Sequence, residues 1–283
     1  MSLVVFGAVL LAAFLHAAWN AAVRSGADKT TAMAAVVLGQ GALGGVLLPF
    51  LPLPSQESWP WILSGVVLHL GYQLFLVAAY RTGELSEVYP LARGAAPLLV
   101  AGASVTVLGT TLSGLEWAGI ILISLGVASV VLVRASGRLS APSRSTVMAL
   151  VASVFIAAYS LNDGLGARLS NAPVAFFGWL TLLNAVAFFA ILPFWRPLTF
   201  RAIPRCLPTI TLGGGASFTA YALVVWAFTE APIALVTALR ETSILFALAI
   251  GIGLMGERLD LRRVASAFLT LSGAVLLRLG RSS

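Results

Sequence analysis

The chain has 283 residues, of which 59% are hydrophobic and only 10% charged, and its mean hydropathy is +0.99. An ordinary soluble domain carries about 25% charged residues, so a fold of this size in water could not cover so much apolar surface. Lipid is therefore the solvent, which excludes soluble enzymes, nucleic-acid binders and disulfide-stapled secreted scaffolds. The formal charge of +7 comes from 17 basic residues scattered singly or in pairs, with no run suited to nucleic acid. One cysteine, Cys206, and 2 histidines are too few soft ligands for a zinc or iron–sulfur centre, so neither metal nor cofactor is expected.

A helix needs about 20 apolar residues to cross the hydrocarbon core. Ten windows qualify: 3–23, 30–52, 59–80, 86–108, 115–134, 144–163, 173–195, 208–228, 233–255 and 262–279. The first lacks the basic start of a signal peptide and is followed by Arg24, so an uncleaved first helix is expected. Turn residues such as Pro52-Leu53-Pro54-Ser55 and Ser170-Asn171-Ala172-Pro173 separate the windows, and no connection has room for a soluble domain. The windows are too long and too evenly apolar for barrel strands. The expected fold is an all-α integral membrane protein of ten transmembrane helices.

Polar residues inside a span are functional candidates by default. The first window carries His16, Trp19 and Asn20, the third His69, Tyr72 and Gln73, and the sixth Tyr159, Asn162 and Asp163. Each trio has i, i+3, i+4 spacing and so occupies one helix face. Tyr221 in the eighth window adds a fourth face. Together these faces would line a chamber suited to a zwitterion with an apolar side chain: rings stack on the side chain while amides and imidazole hold the charged groups. For Asn20 and Asn162, interhelical hydrogen bonding is an equal alternative. Asp163 ends its apolar window and reads as a helix-end or loop contact. Arg93 lies in the fourth window between Pro90 and Pro97, which permit bending, and Arg240 lies in the ninth. Depth counted from the window starts puts Arg93 near one entrance and Arg240 near the other, as gating or carboxylate-steering groups. Structural arginines that snorkel to the interface are the alternative.

Loops after odd-numbered windows hold twelve basic residues and the opposite side three. By the positive-inside rule the odd loops are cytoplasmic and both termini lie outside. Displacing the chain by 147 residues lays Arg93 on Arg240, Gly109 on Gly256 and Gly126 on Gly273. Residues 1–141 and 142–283 are therefore expected to be two copies of a five-helix unit. An odd helix count inverts the second copy, as in carriers that place substrate near the midplane and rock between two openings.

The Gly256-Glu257-Arg258-Leu259 turn, the Gly273 segment, the Trp19-Asn20 pair and the Pro90/Pro97 span make the chain resemble the EamA type of the drug/metabolite transporter superfamily. Within it the chain is most similar to the YddG-type exporters of aromatic and other neutral amino acids. The resemblance implies two inverted five-helix repeats around a central cavity, moving metabolites outward across a bacterial inner membrane. One departure is Gly109-Thr110 where the second copy has Gly256-Glu257. The expected partners are thus an amino-acid substrate and the lipid bilayer, with no nucleic acid, and a monomer is expected. Phosphorylated sugars, nucleotide-type anions and cationic drugs are the alternative cargoes. No motif of a membrane enzyme is present, and without a P-loop the chain cannot itself hydrolyse ATP. For proton coupling, His16, His69, Asp163 and Glu241 are candidates that the sequence does not rank.

Overall fold

The structure, a computed structural model, describes residues 1–24, 28–82, 85–132, 143–195, 202–255 and 261–280. Its helices are α1 (Leu3–Arg24), α2 (Lys29–Leu47), α3 (Trp59–Thr82), α4 (Leu85–Gly94), α5 (Ala96–Thr106) and α6 (Gly114–Leu132). They continue with α7 (Arg144–Ser170), α8 (Pro173–Trp195), α9 (Gly214–Glu230), α10 (Ile233–Arg240), α11 (Ser243–Met255) and α12 (Leu261–Leu279). Among the described residues, 7 helical stretches are long and apolar enough to cross a membrane, and three shorter apolar helices accompany them. Large apolar side chains such as Leu212, Phe268 and Phe194 point outward, the last 91% exposed. In water such a surface would drive aggregation; against lipid it is the required exterior. The chain is a multi-pass, all-helical membrane protein.

Local chemistry accounts for the helix ends. Asp28 caps α2, its carboxylate accepting from the backbone N–H of Thr30 at 3.3 Å and of Thr31 at 3.2 Å. Ser113 and Glu116 form a reciprocal capping box at the start of α6. Ser143 caps α7 through the Thr146 N–H at 3.2 Å, and α7 ends where Asn171 turns left-handed at φ 54°. That helix runs past the apolar window 144–163, because Gly164-Leu165-Gly166-Ala167-Arg168 continues it to Ser170. Asp163 is therefore well inside α7 and not at its end, a correction to the sequence-based expectation.

Packing relies on small residues, as expected where lipid competes as well as any leucine for an apolar helix face. The lengthwise pairs are α3 with α7, α1 with α9, α2 with α8, and α6 with α12. Exchanging each span for the one five positions on turns the first pair into the second and returns the other two to themselves. Along α6–α12, a Cβ on Gly273 would lie 2.7 Å from the Gly119 carbonyl oxygen, and one on Gly126 would lie 2.9 Å from the Thr270 nitrogen. Ser266 donates to the Gly126 carbonyl at 2.5 Å. Gly214 of the eighth span does similar work, lying against the backbone of Gly39 on α2.

Backbone-to-backbone packing of this kind leaves no space for a side chain. Gly273→Leu is expected to force α6 from α12 at a cost of about 1–3 kcal/mol or more, read as a lowered unfolding midpoint of the purified protein in detergent. An unchanged midpoint would show that this contact is not closely packed.

Candidate functional site

The fourth and ninth spans are each broken near their middle. The fourth divides at Ala95 into α4 and α5, and Pro97, near the start of α5, has no N–H to offer the preceding turn. The ninth divides at Glu241-Thr242 into α10 and α11. Ala95 and Thr242 are 147 residues apart, the same displacement that relates Arg93 to Arg240. Each arginine stands in the last turn of its half-helix, where the negative end of the helix dipole favours a cation. Interrupted helices with buried charge at the break are a recurring device for membrane binding sites. The surroundings of Pro90, within α4, lie outside the described residues.

Arg93 and Glu241 form a buried, two-pronged ion pair: Nε donates to Oε2 at 2.7 Å and Nη2 to Oε1 at 2.8 Å. The Arg93 Nη1 also donates to His16 Nε2 on α1. Because a guanidinium carries only donors, that imidazole nitrogen is the acceptor. Arg240 approaches the same carboxylate at 3.7 Å and lies 5.6 Å from the centre of the Tyr221 ring. The two arginines thus converge on one carboxylate, and the expectation of one at each entrance is corrected. The reason is geometric. Both lie eight or nine residues into half-helices, roughly 12–13 Å of rise, and the extended side chain closes the remaining distance to the centre of a ~30 Å hydrocarbon core.

A second polar cluster centres on Asp163, which is fully buried. Its Oδ2 is 2.8 Å from His69 Nε2 on α3 and accepts from the Tyr221 hydroxyl on α9 at 2.9 Å. Its Oδ1 accepts from Asn162 Nδ2 at 3.2 Å. The His69 ring stacks on Tyr159 with centroids 4.2 Å apart, and Tyr72 and Tyr221 meet Tyr159 edge-on at 5.6 and 5.9 Å. Tyr221 links the clusters, its hydroxyl on Asp163 and its ring under Arg240.

The structure brings His16, His69, Tyr72, Tyr159, Tyr221, Arg93 and Arg240 to this region. Trp19 meets His16 edge-on at 5.4 Å, and its buried indole N–H has no hydrogen-bond partner among the described residues. The amides are used differently. Gln73 donates to Asn184 on α8 at 2.8 Å, Asn162 donates to the Trp61 carbonyl at 2.9 Å and accepts from Ser64 at 2.6 Å, and Asn20 donates to the His16 carbonyl at 2.7 Å. These bonds bind helices or turns, the use that sequence left open for the two asparagines. The sequence names Asp163 and Glu241 only as unranked candidates for proton coupling, whereas the structure puts each at the centre of a buried cluster. The available signal is that each is one of the few charged residues inside a long apolar stretch. A cavity of about 280 Å³ lies away from this centre, at the α5, α7 and α9 ends, lined by Ser104, Thr110, Arg168 and Glu230 among others.

The described residues thus form an all-helical membrane bundle broken at two matched points around buried opposite charges. Residues 144–279, just under half of the chain, match the EamA-like transporter family, a match that supports a secondary transporter of small metabolites and not an enzyme. The Gly256-Glu257-Arg258-Leu259 turn, one basis of the family resemblance, lies outside the described residues; its first-half counterpart, Gly109, turns at φ 64°. Among solved structures, 29 chains match. One, a crystal structure, superposes over 99% of this chain and 98% of its own with a TM-score of 0.79 at 19% identity, a likeness of fold alone. No curated protein matches the chain significantly.

A buried ion pair is costly to break one partner at a time, by about 3–5 kcal/mol, because the other charge is left unmet. Glu241→Gln alone should lower stability by that order, and adding Arg93→Gln should restore a good part of it. Unfolding of single and double variants in micelles measures the coupling; additive losses would contradict a direct pair.

Proposed function

We propose that the protein is an exporter of aromatic and other neutral amino acids, working by alternating access in the plasma membrane of a bacterium. In this reading residues 1–141 and 142–283 are inverted copies that rock about the broken spans, and the protein works as a monomer. The boundary between the copies lies outside the described residues. The repeat is supported by the matched breaks and by the α6–α12 contact, where Gly119 and Gly126 have Ser266 and Gly273 as counterparts. The excess of basic residues in the odd-numbered loops supports both termini on the periplasmic side.

One observation carries the substrate class. Arg240 is only 5% exposed, yet its Nε has no hydrogen-bond partner among the described residues. An unmet buried donor is costly, and a guanidinium fork matches a carboxylate in shape and charge. The substrate carboxylate is assigned to Arg240, with Tyr72, Tyr159, Tyr221 and Trp19 offering ring faces to an apolar side chain and the Trp19 N–H a further donor. His16, Arg93 and Glu241 form the wall and latch, and Pro90 and Pro97 mark the span that bends. His69, Gln73, Asn20 and Asn162 act by positioning neighbours. A phosphorylated cargo needs more positive charge than this, since Arg93 already faces Glu241.

Uptake by the purified protein in liposomes, against a panel of amino acids, sugars and anions, tests the proposal. Aromatic amino acids should be carried and their amides, lacking the carboxylate, should not. Arg240→Gln should reduce transport at least tenfold, as expected for loss of a charge-assisted hydrogen bond worth ~1.5–3 kcal/mol. Carriage of a sugar phosphate with amino acids ignored would overturn the substrate. A C-terminal reporter active only in the cytoplasm should stay silent; a strong signal there would reverse the orientation.

A further inference from the structure

The two buried carboxylates at the centre differ in what meets them. Glu241 has its charge met by the guanidinium of Arg93, with Arg240 beside it. Among the described residues no guanidinium or ammonium contacts Asp163. Its hydrogen-bond partners are an imidazole, a phenol and an amide. A charge buried at membrane depth needs compensation, and here the only partner able to supply a whole positive charge is His69, which does so by holding a proton. The trio can therefore take up one proton without breaking an arginine ion pair, whereas Glu241 cannot.

We infer that Asp163, His69 and Tyr221 form the proton-binding site through which this transporter is coupled to a proton gradient. Within the His69–Asp163 pair His69 is the more accessible member, its side chain 13% exposed against none for Asp163. A proton taken from one side forms an N–H or O–H bond within the His69–Asp163 pair; when the site opens to the other side that bond breaks and the proton leaves to water. Nothing is oxidised or reduced. Tyr221 reports the state of the pair to the substrate region, because its hydroxyl is bound to Asp163 while its ring lies under Arg240. The titratable and charged groups facing the site among the described side chains are His16 on α1, His69 and Tyr72 on α3, Arg93 on α4, Tyr159 on α7, Tyr221 on α9, and Arg240 and Glu241 at the end of α10. Arg168, Glu57 and Glu230 lie towards the helix ends, away from it. The proton site rests on the transporter class and not on the identity of the cargo; only the exchange direction, proton inward for substrate outward, rests on the export proposal.

Two measurements test it. Infrared spectra of the purified, substrate-free protein at stepped pH should contain a band of the proton bound in the pair, as carboxylic acid or imidazolium, that is altered in Asp163→Asn and changes at a different pH in Tyr221→Phe. Tyr221→Phe keeps the ring and serves if the asparagine variant does not fold. In liposomes, a lumen one pH unit more acidic than the bath should let the wild type concentrate phenylalanine up to about tenfold, one proton per substrate. Asp163→Asn should carry it to equilibrium and no further. The same band in wild type and both variants, or exchange of labelled for unlabelled substrate with no response to the gradient, would overturn the proton site. Concentration under the opposite gradient alone would overturn the export direction and uphold the site. If no amino acid moves while the band behaves as stated, the proposed cargo is wrong and the proton site stands.

Discussion

The contact on which the centre of this protein depends is the ion pair between Arg93 and Glu241, buried where two spans break. Broken helices expose backbone polar groups that lipid cannot satisfy. They are tolerated here because both breaks turn inward, onto charges and hydrogen-bonding side chains. The pair joins the fourth span to the ninth, and through His16 it also engages the first. Its desolvation makes it a poor source of stability compared with apolar packing. Its geometric effect is to tie Arg93 on the fourth span to Glu241 at the break of the ninth.

Around that pair the core divides its charges by type of partner. Glu241 is met by arginine, a cation over the whole physiological range, whereas Asp163 is met by groups whose charge depends on a proton or that carry none. Tyr221 stands between them with its two chemically distinct parts in use, the polar tip on one cluster and the ring face on the other. An aromatic wall of Tyr72, Tyr159 and Tyr221 completes the region without adding charge. A site built this way can hold an ionic ligand while the membrane interior stays near neutral.

Elsewhere the bundle is held by close backbone approach and interhelical hydrogen bonds together with apolar packing among buried side chains such as Phe176, Phe177 and Phe228. Ser64–Asn162, Gln73–Asn184 and Gln40–Ser217 each tie two spans together. The glycine contacts of α6 with α12 and of α2 with the eighth span bring backbones together and gain dispersion contacts that lipid cannot replace.

The ten spans, their approximate ends and the matched arginines were legible in the sequence, because hydropathy, turn residues and displacement by a fixed number of residues are properties of one chain read in order. So was the face shared by His69 and Tyr72, which helical periodicity alone determines. The depth of Asp163 was not, because an apolar window stops at the first polar run while the α7 backbone, satisfied within itself, continues through it. Nor was the meeting of Arg93 with Glu241, 148 residues apart in sequence. Which side chains come within 3 Å depends on how half-helices entering from different spans converge, and only the tertiary structure decides that.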